Sequence, residues 1–196
     1  MPPKPKFNKE SIVEAAYELA KEKGLSAITA RSVANRLGCS VAPIYVNFAT
    51  IDDLTAAVVR RVFTITDELV AKYKGANLFE NMGKASLAFA RAYPVLFREL
   101  TMEPNPYMAS YETVENSILE ALAEEESMRG LTLDERRRLL FKMRVFQLGL
   151  SAMVANGHLP AWLDDRQVEE LFLEVGDELL RIHKIKREEK REEKKQ

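Results

Sequence analysis

Apolar positions return at helical spacing along nearly the whole chain, and the residues between them are charged or polar. Ile12, Ala15, Ala16, Leu19 and Ala20 share one face of a helix predicted from about Asn8 to Lys23, with Gly24 as its stop. Two short helices follow, opened by Thr29 and Ser40, whose side-chain oxygens suit the orphan N–H groups of a first turn. Leu54, Val58, Val62, Ile65 and Leu69 keep the period through a long helix from Asp52-Asp53 to about Lys74, and Gly75 ends it. Helices are then expected from about Leu78 to Ala92, after Tyr93-Pro94 to about Leu100, and from about Tyr107 to Arg129, ending at Gly130. Thr132 with Glu135 and Asp164 with Gln167 read as capping boxes. They open two strong helices, roughly Leu133 to Ala155 and Asp165 to Ile182, that form an antiparallel hairpin. Alternating β-branched residues are nearly absent, so the pattern predicts an all-α fold.

The segment from Thr29 to Phe48 has a shape of its own. Val33, Ala34 and Leu37 mark one face of its first helix, and Ile44, Tyr45 and Phe48 make an apolar stripe on its second, enough for a small shared core. Between them, Ala34 allows close approach and Gly38 can take the left-handed backbone that ends a helix. The combination is a helix-turn-helix, braced by the preceding helix. In such a motif the second helix enters the major groove of DNA, its first residues meet base edges and flanking groups hold phosphates. Ser40 would sit at a phosphate, while Val41, Ala42 and Pro43 project from the first turn and suit a thymine methyl. Arg31 is the candidate for a bidentate contact to guanine.

Residues Phe7 to Leu54 resemble the DNA-binding domain of the tetracycline-repressor (TetR) family of transcriptional regulators. The matching pattern runs from IVEAAYELAKEKG through Thr29, Val33-Ala34 and Gly38-Cys39-Ser40 to Tyr45-Val46-Asn47-Phe48 and Asp52-Asp53-Leu54. The resemblance implies a three-helix head on residues 1–50, a larger helical ligand-binding and dimerisation domain on 51–185, and a charged tail on 186–196. It matches Arg31 to a base-contacting position and Thr29, Tyr45 and Asn47 to positions that commonly hold phosphates. The chain departs from the family at Ile51, where a backbone-gripping lysine is frequent, and at Asn47, where histidine is frequent.

Composition and charge refine this picture. The whole chain is near neutral, with 29 Lys and Arg against 30 Asp and Glu. Residues 1–48, however, hold seven Lys and Arg against four Glu, and the rest holds 22 against 26. A basic head on an acidic body favours head-first docking on a polyanion. The Pro/Lys arm MPPKPKF adds Lys4 and Lys6 as groove or phosphate contacts. One cysteine, Cys39, excludes an internal disulfide, and nothing reads as a signal peptide or membrane span, so a cytoplasmic location is expected.

A dimer is expected, because paired reading helices sit about one DNA turn, roughly 34 Å, apart. Leu150, Met153, Val154, Leu171, Phe172, Val175, Leu179 and Ile182 of the final hairpin are its candidate interface. An effector pocket, which the resemblance favours over ordinary core, is assigned to Phe89, Tyr93, Phe97, Met102, Tyr107, Met108, Tyr111, Met143 and Phe146. Catalysis is not expected: His158 and His183 are isolated, with no metal-ligand spacing, nucleophile motif or phosphate-binding glycine loop, and no cofactor is expected. The expected function is a ligand-responsive transcriptional regulator, the expected partners being a double-stranded operator, a small molecule and a second copy. The alternative is a helical ligand-binding or scaffold protein whose head no longer reads DNA, which Ile51 and the apolar Val41-Ala42-Pro43 turn favour.

Overall fold

In a computed structural model of the chain, residues 7–107, 111–123 and 125–193 are described, with the backbone alone at 111, 112, 114, 127 and 186–193. Among the described residues every long element is helical: α1 (Lys9–Lys23), α2 (Ala30–Leu37), α3 (Ala42–Asn47), α4 (Ile51–Lys72), α5 (Leu78–Ala92), α6 (Pro94–Thr101), α7 (Tyr111–Ala121), α8 (Leu133–Asn156) and α9 (Asp165–Glu193). The all-α reading therefore holds. None of these helices is long and apolar enough to cross a membrane.

Two compact units divide the chain. One takes the sequence up to Leu69 together with Ala92–Met108, and the other takes Val70–Arg91 and Ala109–Gln196. The head thus keeps most of α4 and also holds α6, which lies far along the sequence, whereas a sequence division near residue 50 would assign both to the body.

Within the first unit, α1 begins at Asn8, whose side chain accepts from the Ser11 N–H at 2.9 Å. It buries Ile12, Ala16, Tyr17, Leu19 and Ala20. Gly24 closes it at φ +90°, and the next residue's N–H, from Leu25, donates to Glu99 Oε2 of α6 at 2.6 Å. A Cβ on Gly24 would meet that carboxylate, so the close approach of α6 and the left-handed backbone both require glycine here. Tyr17 and Tyr93 rings lie 6.4 Å apart beside this contact. Burial, with the Tyr93 hydroxyl next to it, raises the Tyr17 phenol above its ordinary value.

The second unit builds its core from α5 and α7 to α9. One cluster joins Leu119, Leu122, Met128, Leu131, Leu139, Leu140 and Met143, and a second joins Leu87, Leu150, Val168 and Phe172. Phe79 belongs to the margin of both and stacks on Phe172 at 5.6 Å. Both capping boxes form as the sequence indicates: Glu135 N–H donates to Thr132 Oγ1 at 3.3 Å, and Gln167 N–H to Asp164 Oδ1 at 2.8 Å. Arg91 ties α5 to the start of α9 through Asp165 at 3.0 Å and Glu169 at 3.4 Å.

Two expectations about where helices start and stop need correction. The helix expected from Tyr107 to Arg129 is the shorter α7 and a separate 3-10 turn at Glu126–Met128, because the chain turns after Ala121 to place Leu122 and Met128 together in one cluster. The last helix runs on past Ile182 to Glu193, the closing run of Lys, Arg and Glu extending it as its helix-favouring composition indicates. The second helix of the helix-turn-helix is not capped by Ser40. It starts at Ala42 behind Val41, whose backbone is already helical at φ −71° and ψ −17°, with no side-chain cap.

Gly83 of α5 supports the aromatic stack, since a Cβ there would overlap the Phe172 ring. Gly83→Ala should therefore lower the unfolding free energy by about 1–3 kcal/mol through overpacking, read as a lower urea midpoint with an unchanged slope. An unaltered midpoint would show that Phe172 has room to move.

Candidate nucleic-acid interface

Local chemistry fixes α2 firmly. Thr29 Oγ1 accepts the Ser32 N–H at 3.0 Å while Ser32 Oγ accepts the Thr29 N–H at 3.0 Å, a reciprocal box that the sequence indicated only on its Thr29 side. Gly38 then turns the chain at φ 65° and ψ 38°, and the Cys39 N–H reaches back to the Ala34 carbonyl at 3.0 Å. This sets α3 against α2 with Ile44 and Phe48 inward and almost fully buried.

The outward side of α3 is apolar at its tip. Val41 and Ala42 are exposed and Pro43 is half-buried. Tyr45 is 54% exposed and Val46 84% exposed. Val46 was not among the sequence candidates. It lies two residues from both Ile44 and Phe48, hence about 200° round the helix from each, and the wheel alone would have placed it outward. Asn47 is half-buried and donates one amide hydrogen to the Pro43 carbonyl at 2.8 Å, leaving the other unused by that bond. Ser40 is exposed in the turn before α3.

The cations around this tip are unlike one another. Arg36 is held by Glu22 in a two-pronged pair at 2.6 and 3.1 Å, which lowers the Glu22 carboxyl and raises the Arg36 guanidinium. Arg31, exposed in the first turn of α2, has no acidic partner among the described residues. Its charge is thus open to an external anion or a base edge. Ile51, at the first position of α4, is half-buried, and α4 is instead opened by Thr50 and Asp53, with the Asp53 N–H donating to Thr50 Oγ1 at 3.0 Å.

The residues expected to line an effector pocket are distributed. In the head's unit, Tyr93 contacts Tyr17, Phe97 is buried, Met102 is exposed, and the Tyr107 hydroxyl donates to Asp52 Oδ1 of α4 at 3.3 Å. Burial, then the Asp52 charge, raises the Tyr107 phenol. Phe89, Met143 and Phe146 belong to the other unit. Met108 and the Tyr111 side chain lie outside the described residues, as do Lys4 and Lys6 of the arm. A cavity does exist in the second unit, bordered by Phe79, Met128, Met143, Phe172, Gly176 and Leu180, with Glu80 and Asp177 also lining it. Of the sequence candidates for the pocket that lie among the described residues, only Met143 borders it. Phe79 and Phe172 could not be singled out, because their period marks them equally as core.

The hairpin face also differs from the one read in the sequence. Leu150 and Phe172 are buried in their own unit's core, and so cannot reach a second copy. Val154, Leu171, Val175 and Leu179 are half-buried, whereas Met153 and Ile182 are exposed. Phe141 and Val145 of α8, which the sequence reading passed over, are each more than half exposed. Their i, i+4 spacing on the side away from Leu140 and Met143 was the available signal.

A head of three helices, closed by a glycine turn and carrying an exposed short helix, defines a helix-turn-helix protein of the DNA-reading class. Residues 12–58 match the family described as bacterial regulatory proteins, tetR family. The fold is similar to the crystal structure of the multidrug binding protein EbrR complexed with proflavin, at 20% identity and a TM-score of 0.57, covering 87% of this chain and 98% of that one. It is also similar to a transcriptional regulator, RHA1_ro04179, from Rhodococcus sp. Rha1, at 15% identity and a TM-score of 0.59, covering 90% and 95%. No curated protein sequence matches the chain.

Because the box at Thr29 caps the start of α2, against which α3 is packed, Thr29→Ala should cost about 1 kcal/mol of stability, while Thr29→Ser should restore most of it. Equal midpoints for all three proteins in urea would mean that the box contributes nothing.

Proposed function

We propose that the chain is a ligand-responsive transcriptional regulator that binds a palindromic operator as a homodimer and releases it when a small apolar or aromatic effector enters the body. The observation that carries the reading is the contrast between Arg31 and Arg36. Two arginines lie on one eight-residue helix; Arg31, exposed in its first turn, has no acidic partner among the described residues, while Arg36 is locked to Glu22. Arg31 then takes the bidentate contact to guanine, and Thr29, Tyr45 and Asn47 hold phosphates. Val41, Ala42, Pro43 and Val46 make apolar contact, for which thymine methyls are the natural partner.

Dimerisation uses the exposed apolar positions of the hairpin: Phe141, Val145 and Met153 on α8, with Ile182 and Ile185 on α9. The effector occupies the cavity walled by Phe79, Met128, Met143 and Phe172. Support for an aromatic ligand comes from this lining and from the similar EbrR structure, which is a complex with proflavin. Coupling runs through the chain itself. α6 and Tyr107 belong to the head's unit, yet the chain enters them from α5 and leaves them toward α7. A shift of α5 when the cavity fills is thereby passed to α6, whose Glu99 grips the turn after α1.

The alternative of a helical binding protein with a silent head rests on the apolar tip of α3 and on Ile51. Binding of purified protein to duplexes selected from a random pool separates the two. Arg31→Ala should relax base preference at one position of each half-site, a loss of about 1–3 kcal/mol in discrimination. Phe141→Glu with Val145→Glu should give a monomer with far weaker binding. Equal affinity for all duplexes in the unaltered protein would favour the silent head.

A further inference from the structure

At the far end of α3, Asn47 borders a shallow cleft that no sequence candidate except Asn47 itself had marked. Lys9 from the first turn of α1 and Asp53, Ala56 and Arg60 from α4 form its sides, with Phe48 and Ala49 between them. Lys9 Nζ stands 5.1 Å from the centroid of the Phe48 ring, the residue that ends α3. Neither Lys9 nor Arg60 has an acidic partner among the described residues. By contrast Lys21, Arg36 and Arg61 of the same unit are each within 4 Å of a glutamate: Glu18 at 2.9 Å, Glu22 at 2.6 Å and Glu14 at 3.7 Å.

The one acid of the cleft is already engaged. Asp53 Oδ2 accepts the Thr50 N–H at 3.0 Å and the Thr50 hydroxyl at 2.8 Å, which orients the carboxylate toward the first turn of α4 and leaves the two cations of the cleft in excess of its one negative charge. What remains toward solvent is two cations and the second amide hydrogen of Asn47, converging from three helices on one spot beside the reading helix. A lone cation needs no partner at a surface, but two held together by the fold repel each other and gain from a shared anion. Ile51, at the start of α4, carries no charge, where the family that the head resembles frequently has a lysine.

We propose that Lys9, Arg60 and Asn47 clamp a backbone phosphate of the bound duplex and so take over the grip that Ile51 cannot provide. The proposal rests on the DNA-reading function of the head. Arg60 offers a fork to the phosphate oxygens and Lys9 a point charge, and the contact carries no base preference. One phosphate neutralised by the pair adds about 0.9 to the magnitude of the slope of log affinity against log salt.

The test measures binding of the full chain to a labelled duplex recovered from a random pool, and to a scrambled duplex, by anisotropy across a salt series. Lys9→Gln with Arg60→Gln should reduce the slope by about 0.9 and weaken both duplexes by the same factor, leaving their affinity ratio unchanged. Lys9→Arg should retain the slope. Lys23→Gln, an exposed cation of the head outside the cleft, should leave it unchanged. If the unaltered protein distinguishes the duplexes but the double variant keeps the full slope with an unchanged melting temperature, the clamp is refuted and DNA reading stands. A change in the affinity ratio would also refute it, by assigning base contacts to the cleft. Absence of any preference in the unaltered protein would refute both.

Discussion

The structure depends on holding a six-residue helix in place. An isolated helix of that length does not persist in water, since its one or two turns of hydrogen bonds cannot offset the cost of nucleation. α3 persists because Ile44 and Phe48 are buried, and because the Gly38 turn joins it to an α2 that is itself capped at both ends. Everything that would meet a duplex is displayed by this arrangement: an apolar tip at Val41 and Val46, a ring at Tyr45, and Arg31 one helix away. The reading surface is thus a by-product of a core that faces the other way.

The same economy explains why α6 belongs with the head. α1 is the brace for α2 and α3, and its C-terminal turn is pinned by the Glu99 carboxylate at Leu25. Tyr107 touches Asp52 at the start of α4, next to the box that begins that helix. Two of the head's helix ends are therefore held by a segment whose own ends are tied to α5 and α7. Such a segment has the attributes of a switch, since its position bears on the head while its attachments lie in the unit that contains the cavity.

Local chemistry made much of this legible in the sequence. The boxes at Thr132 and Asp164 and the cap at Thr29 could be read because donor and acceptor lie three residues apart, and Gly38 because a left-handed residue suits the turn. Ser40 misled because a good capping residue is no guarantee that the backbone waits for it, and Val41 is already helical. Periodicity overran at Leu122 and Met128, which stay apolar and buried through a turn as they would through a helix. It also could not say which side of a helix another element covers. Leu150 and Phe172 looked like an interface and are core, while Phe141 and Val145 are the exposed ones. Lys9, Asn47 and Arg60 come together only in three dimensions, from three different helices, and no spacing rule links them.

The central claim is that the outward side of α3, with Arg31 beside it, is where this chain meets DNA. Amide chemical shifts followed while a selected duplex is added would test it most directly. The account predicts that the largest changes cluster at residues 29–31 and 41–47, with smaller ones at Lys9 and Arg60 and little change around the cavity lined by Phe79 and Phe172. Changes concentrated on the hairpin of α8 and α9, with residues 41–47 unmoved, would contradict it.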